Sequence, residues 1–227
     1  MAKLTFRRLC AMNATVPPAD SSVAQQGRRS PVQQRSRVRV EAILDAAATL
    51  VLEVGVEGLG TRAIAEATGF PVATIYQYFA DKDAILLALV ERDTAEMDER
   101  LAQQVAELDE LSLHGMVQAA LRAFTAVCRE RPSFVMIWTR GRINATVANY
   151  TREHNKRIAK TLFELATASG LVRPDADLLT AEMAVEFGDR IIELAFAKDL
   201  NGDDAVLRTG GELLTGALAQ YEADAPE

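Results

Sequence analysis

Several features that would announce an enzyme or a secreted protein are missing from this sequence. It has two cysteines, Cys10 and Cys128, far apart and outside any C-x-x-C pattern. That argues against a structural disulfide and suits a reducing compartment. The two histidines, His114 and His154, fall in separate predicted helices without metal-ligand spacing, so no metal site is implied. Neither a G-x-S-x-G elbow, a Walker loop, a dinucleotide fingerprint nor a Cys/His cluster occurs. No catalytic residue and no cofactor is therefore assigned, and the chain is read as a non-enzyme. No run of some 18 apolar residues is present to span a membrane. The opening segment, residues 1–21, holds no apolar core long enough for a signal peptide. We expect a cytoplasmic protein with no membrane partner. Aromatic residues make up only 6% of the chain, and extended alternating β-branched runs are absent.

What remains favours helix. Leu, Ala and Glu dominate, apolar residues reach 49% and charged ones 25% over 227 residues, enough for one or two domains with a full core. The expected class is all-α. A net charge of −7 argues against a nonspecific nucleic-acid coat, but its distribution is uneven. Residues 1–40 hold eight basic side chains (Lys3, Arg7, Arg8, Arg28, Arg29, Arg35, Arg37 and Arg39) against Asp20, a net of +7 that leaves −14 on the rest. A basic head on an acidic body fits a protein that touches DNA at one end. A disordered tail that happens to be basic fits residues 1–30 as well.

The chain is organised around Thr61 to Lys82, TRAIAEATGFPVATIYQYFADK. Thr61 is placed as an N-cap, Ile64, Ala65 and Thr68 share one helical face, and Gly69 can take the left-handed conformation that stops a helix. Pro71 suits the first turn of a second helix, with Ile75, Tyr78 and Phe79 inward and Val72, Thr74, Tyr76 and Gln77 outward. Ala65, Gly69 and Ile75 stand at offsets of four and ten, the spacing of a helix-turn-helix: a small residue at the crossing, a glycine at the turn and a plug between the helices. An ordinary helical hairpin shares the cap and the glycine, and on spacing alone the two readings stand level.

The wider stretch carries more. Glu53-Val54-Gly55-Val56-Glu57-Gly58-Leu59-Gly60-Thr61, followed by Thr74-Ile75-Tyr76-Gln77-Tyr78-Phe79-Ala80-Asp81-Lys82-Asp83-Ala84-Ile85-Leu86, resembles the DNA-binding domain of the TetR/AcrR family of transcriptional regulators. The likeness runs from about Val38 to Val90 and includes T-I-Y-x-Y-F-x-x-K. Gly60 stands where that family commonly has Thr, and Pro71 where it commonly has Ser. The resemblance implies an N-terminal three-helix helix-turn-helix DNA-binding domain followed by a helical ligand-binding and dimerisation domain. It also implies a pendulum-like role for the helix that begins at Lys82, and a homodimer through the last two helices.

The domain expectation is a basic, disordered arm over 1–36, a helix-turn-helix domain over 37–84 and an effector-binding and dimerisation domain over 85–227. The first helix is predicted over Arg37–Val54 with Gly55 closing it; later helices over Lys82–Leu108 behind an Asp81 cap, Leu111–Arg131, Arg142–Ser169, Leu178–Ala197 and Asp203–Tyr221; and a short apolar element starting at Pro132. Gly210 and Gly211 within the last of these imply a close helix approach, from a partner subunit or from the same chain.

Candidate DNA contacts follow from side-chain chemistry. Thr61, Thr74, Tyr76 and Lys82 can donate to phosphates, and Arg39 lies in a segment that can reach phosphates or a minor groove. Gln77 and Arg62 can bind base edges bidentately, Val72 and Ala73 can meet a thymine methyl, and Tyr78 can serve in either capacity. For a small-molecule effector the candidates are Phe124, Cys128, Met136, Trp138, Arg140, Tyr150, His154, Met183, Phe187 and Arg190, expected to line one mainly apolar cavity suited to a lipophilic ligand. The expected function is a ligand-responsive repressor that binds a palindromic double-stranded DNA operator as a homodimer. The alternative is a helical ligand-binding or protein-interaction module that has lost specific DNA binding, since no basic residue lies between Phe70 and Asp81.

Overall fold

The computed structural model describes residues 31–140 and 144–223, with side chains left out at 31–33 and 140. Within these residues nine α-helices follow one another: α1 Pro31–Gly58, α2 Thr61–Thr68, α3 Val72–Tyr78, α4 Lys82–Glu107, α5 Leu113–Glu130, α6 Pro132–Arg140, α7 Ala145–Ala168, α8 Leu178–Phe196 and α9 Asp204–Leu218, then a 3-10 turn Ala219–Tyr221. The all-α expectation holds among the described residues. The only extended pairing there is an antiparallel bridge between Val172 and Glu222.

The chain divides into two compact units, one with residues up to Arg92 plus Pro132–Ala148, the other with Asp93–Arg131 and the chain from Asn149 on. The sequence placed a boundary at 84/85; the compact units divide within α4, and α6 joins the first. The reason is visible in α6: Phe134, Val135, Ile137 and Trp138 are buried, Phe134 stacks on Trp138 with centroids 6.3 Å apart, and the helix packs on α1.

In the first unit, α1 buries Ile43, Leu44, Ala47 and Val51, a stripe at three- and four-residue steps, and packs on α2 as well as α6. Two expectations about α1 change. It begins at Pro31, so residues 31–36 are helical rather than disordered, while residues 1–30 lie outside the described residues. Its regular part breaks at Gly55, where φ is 75°, before one more turn to Gly58. Arg92 reaches from α4 to Asp45 at 3.0 Å and Glu41 at 3.7 Å and so ties α4 to α1. Asp81 accepts from the Ala84 N–H at 2.8 Å, the cap expected for α4.

The second unit has its core in Leu101, Ala102, Val105, Leu113, Met116, Ala119, Ala123, Ile158, Leu165 and Ala166. Its helix starts are capped in the same way: Ser112 accepts from Gly115 N–H at 3.0 Å, Asp177 from Thr180 N–H at 3.0 Å, and Asp203 from Ala205 and Val206 N–H at 2.8 and 3.2 Å. Helix α9 lies on α8 and α5. Its glycines explain the approach: a Cβ on Gly210 would stand 2.6 Å from Ile191 Cγ2 of α8, and one on Gly211 would stand 2.9 Å from Leu121 Cδ1 of α5. Of the two readings of this pair, the structure supports the one within the same chain. At the end of the unit the Arg173 N–H donates to Tyr221 O at 2.9 Å and the Ala223 N–H to Leu171 O at 3.0 Å, closing the final residues onto the α7–α8 connection.

A buried ion network completes this unit. Asp93, 1% exposed, accepts from Arg131 Nη1 at 2.5 Å. The other Arg131 nitrogen bonds Glu96, which also holds Arg100, and Arg100 reaches Glu130 at 2.6 Å. A carboxylate so deeply buried needs this guanidinium, because an uncompensated interior charge costs several kcal/mol.

Candidate DNA-reading surface and effector cavity

Helices α2 and α3 form the first site. The Gly69 backbone, at φ 69° and ψ 13°, makes the left-handed turn that a Cβ would strain, and Pro71 at φ −56° leads into α3. Ile64, Ala65, Ile75 and Phe79 are buried, so α3 is held by its Ile75–Phe79 edge. Val72, Ala73, Tyr76 and Gln77 are left exposed, Thr74 and Tyr78 half-buried. The outward set is thus two small apolar groups, a phenol and an amide on a single two-turn helix.

Thr61 departs from expectation. The N-cap of α2 is Gly60, with no side-chain cap hydrogen bond, and Thr61 is the first helical residue. Its hydroxyl instead lies 3.2 Å from the Tyr76 hydroxyl, a link between the two helices across 15 residues. Two candidate phosphate donors are therefore brought together as one pair. Arg39 and Tyr78 are brought together too. The side chains of Ser36 and Arg39 hydrogen-bond the Tyr78 phenol and, with the Arg39 charge, draw its pKa below the ordinary tyrosine value. Lys82 Nζ donates to Glu57 O at 3.4 Å, a long bond that leaves the ammonium other donors. Arg62 is exposed on α2. All ten sequence-derived DNA candidates belong to the first unit.

The second site is a cavity of about 170 Å³ inside the second unit. Met97, Asp98 and Leu101 line it from α4, Met116, Ala120 and Phe124 from α5, His154, Asn155, Ile158 and Leu162 from α7, and Thr180, Ala184, Gly188 and Asp189 from α8; Leu214, Leu218 and Tyr221 close it. The walls are apolar apart from a few polar groups. His154 Nε2 lies 3.1 and 3.2 Å from the two Asp98 oxygens, and both residues are buried. Asn155 Nδ2 donates to Glu186 Oε1 at 3.2 Å. Tyr150 stacks on His154 with centroids 6.0 Å apart, and its hydroxyl lies 2.8 Å from Thr94 Oγ1.

The ten sequence-derived effector residues are not gathered in one place. Phe124 and His154 line the cavity, and Tyr150 backs His154. Cys128 is buried but is not a wall residue; burial, with the Asp189 and Asp93 charges, pushes its thiol pKa far up. Met136 and Trp138 sit on α6 in the first unit, and the Arg140 side chain falls outside the described residues. Met183 and Phe187 are 45% and 52% exposed, and the Arg190 side chain 54%, because the i, i+4 stripe of α8 looks away from the cavity. Asp98 was missed. Its signal was a carboxylate between Met97 and Leu101 on the inner stripe of α4. Among the described residues no group of three His, Cys, Asp or Glu side chains is placed to hold a metal ion, and no helix is long and apolar enough to cross a membrane.

A fold of this kind, a short helix-turn-helix followed by a helical unit with an internal cavity, defines a one-component regulator. Residues 43–89 match the family model for bacterial regulatory proteins of the tetR family, and residues 111–222 match the tetracyclin repressor-like C-terminal domain model. The chain belongs to the TetR family of transcriptional regulators, proteins that regulate transcription rather than catalyse reactions. It is similar to an uncharacterized HTH-type transcriptional regulator of Mycobacterium tuberculosis, 31% identical over 77 residues, 34% of this chain and 38% of that protein. The match thus spans well under half the length of that relative. Among solved structures, a TetR-family transcriptional regulator from Streptomyces coelicolor is 28% identical, with a TM-score of 0.66 over 81% of this chain and 99% of that one. The fatty acid degradation regulator FadR from Bacillus halodurans shares the fold at 18% identity, with a TM-score of 0.65 over 83% and 96% of the two chains.

Proposed function

We propose that this regulator is a homodimeric repressor that binds a palindromic operator through α3 and leaves it when a lipophilic small molecule enters the cavity of the second unit. The observation that carries the reading is the face of α3: Val72, Ala73, Tyr76 and Gln77 are exposed together while Ile75 and Phe79 anchor the same helix. In a major groove Gln77 can pair bidentately with an adenine and Val72 or Ala73 can meet a thymine methyl; Thr61, Thr74, Tyr76 and Lys82 are donors for phosphates. Arg62 on α2 is a second base-edge candidate. Arg39 adds a phosphate or minor-groove contact beside Tyr78. In this reading residues 37–84 form the DNA-reading domain and 85–227 the effector-binding and dimerisation domain.

The dimer is supported by the outer face of α8 and α9. Leu179, Met183, Phe187 and Leu194 repeat along α8 at 60%, 45%, 52% and 49% exposure, with Leu213 of α9 at 71%. A contiguous apolar face of this kind is what a second copy would cover. Two-fold pairing would present two α3 helices to half-sites about one helical turn apart, hence the palindrome. The effector would act by favouring one of two arrangements of the heads, by way of α4. Work on DNA places the protein in the cytoplasm.

The test is fluorescence anisotropy with DNA from upstream of its own gene at two salt concentrations. Tight binding to one short palindrome, weakened at least tenfold by Gln77→Ala and by Tyr76→Ala, is expected. Equal binding to any DNA, or none, would favour the alternative, a ligand-binding or protein-interaction module without an operator.

A further inference from the structure

The cavity walls select the charge of what enters, and this inference rests on the reading of the cavity as the effector site. Among the described wall residues there is no lysine or arginine; the ionisable groups are Asp98, Asp189, His154 and Tyr221. His154, the one side chain there able to carry positive charge near neutral pH, already turns its Nε2 to Asp98 at 3.1 and 3.2 Å. Asp98 is 4% exposed and His154 8%, so the pair sits in an interior where an added anion would find carboxylates and no free guanidinium or ammonium. Burying an unpaired anion in such surroundings is strongly disfavoured, while an ammonium would be drawn to the carboxylates and a hydroxyl could bond Asp98 or Asn155. The remaining walls are aliphatic, apart from Phe124 and Phe163. About 170 Å³ is on the order of ten times the ~10–15 Å³ that a single water occupies, room for a molecule of roughly ten or more heavy atoms.

We infer that the effector is a compact neutral or cationic lipophile, an alcohol, amide or amine on an apolar body, and that the cavity rejects the corresponding carboxylic acid in its ionised form. The negative environment also extends beyond the walls, since Asp189 helps to disfavour the thiolate of buried Cys128.

Three probes of one shape separate the charges: 2-naphthylmethylamine, 2-naphthylmethanol and 2-naphthoate, titrated calorimetrically into the full chain at pH 7.5. The amine and the alcohol are expected to bind at least tenfold more tightly than the acid. In Asp98→Asn/Asp189→Asn that gap is expected to shrink to within threefold, with binding of the neutral alcohol showing that the variant cavity is intact. If the double variant loses the alcohol, single Asp189→Asn, at the half-buried position, takes its place, and the gap is expected to narrow at least twofold. Naphthoate binding as tightly as the others, no binding of any probe, or an unchanged gap in a variant that keeps the alcohol would each overturn the inference. Operator release is read separately. An amine that binds but leaves the DNA complex untouched would remove the effector reading and leave the charge selection standing.

Discussion

The two compact units bury different kinds of side chain. The large side chains that are essentially inaccessible are Phe134, Ile43, Ile64, Ile75, Ile85, Leu86, Leu89, Ile137, Val51 and Val90 in the first unit, and Ile192 alone in the second. The second unit instead buries alanines, a methionine pair at Met97 and Met116, and polar groups: Asp93, Thr94, Asp98, Thr125, His154, Asn155 and Thr161. β-Branched side chains have few rotamers and fix the elements they join; alanine and methionine leave space and adapt to shape. A surface that must hold a helix at one angle to DNA is built from the first set. A cavity that must admit a guest is built from the second. The difference shows that one chain can place stiffness and room separately, through the choice of core residue.

The largest effects that sharpen this contrast come from removing what each core depends on. Ile75→Ala, which empties the plug beneath α3, should cost about 3 kcal/mol, within the range of such truncations, and be seen as a lower urea midpoint. Arg131→Ala should cost about as much in the second unit, since it leaves the Asp93 carboxylate buried without its guanidinium. Conservative Arg131→Lys should recover only part of that. Enlarging a side chain should then split the two units. Ala47→Leu, at a fully buried site, should cost about 1–3 kcal/mol. Ala120→Leu, which grows into the cavity, should cost under about 1 kcal/mol and abolish probe binding. Equal costs by thermal melting would break the comparison.

A smaller effect follows from Cys128. Burial raises its thiol pKa above the model value of 9.0. Above about pH 9 the unfolded chain releases this proton and the folded chain keeps it, so stability falls as pH rises; the loss begins at the unfolded pKa. Cys128→Ala should flatten the pH dependence of the denaturation midpoint between pH 8.5 and 10 relative to wild type, and the native thiol should react with iodoacetamide only on unfolding. Smallest of all, Thr61→Val removes the hydroxyl that meets Tyr76. It should leave the melting temperature within about a degree or two and weaken operator binding a few-fold.

Much of the fold could be read directly from local chemistry. Asp81, Gly69 and Pro132 act over a few residues, and each sits where its backbone preference requires. The apolar periodicity of α1, α4 and α8 was equally legible. What periodicity could not supply is the surface that covers a stripe. Met183 and Phe187 repeat like core residues and stand exposed in the single chain, whereas Gly210, read alone as a sign of close approach, meets Ile191 of its own chain. Nor could spacing reveal pairs formed across long separations. Thr61 looked like a cap because its partner, Tyr76, lies 15 residues on, and Asp98 stood unnoticed because His154 lies 56 residues away. Met136 and Trp138 were grouped with the cavity from their apolarity, which does not say which compact unit α6 joins.

The pairing of residues 171–173 with 221–223 has a consequence for the order of events during synthesis. Tyr221 is a wall of the cavity, and its carbonyl holds Arg173. A ribosome delivers the chain from its N-terminus, so every residue of the DNA-reading unit has been made well before Tyr221 exists. A nascent regulator therefore has the parts of its reading head before it has a finished receptor. Only release of the last residues lets it respond to a signal.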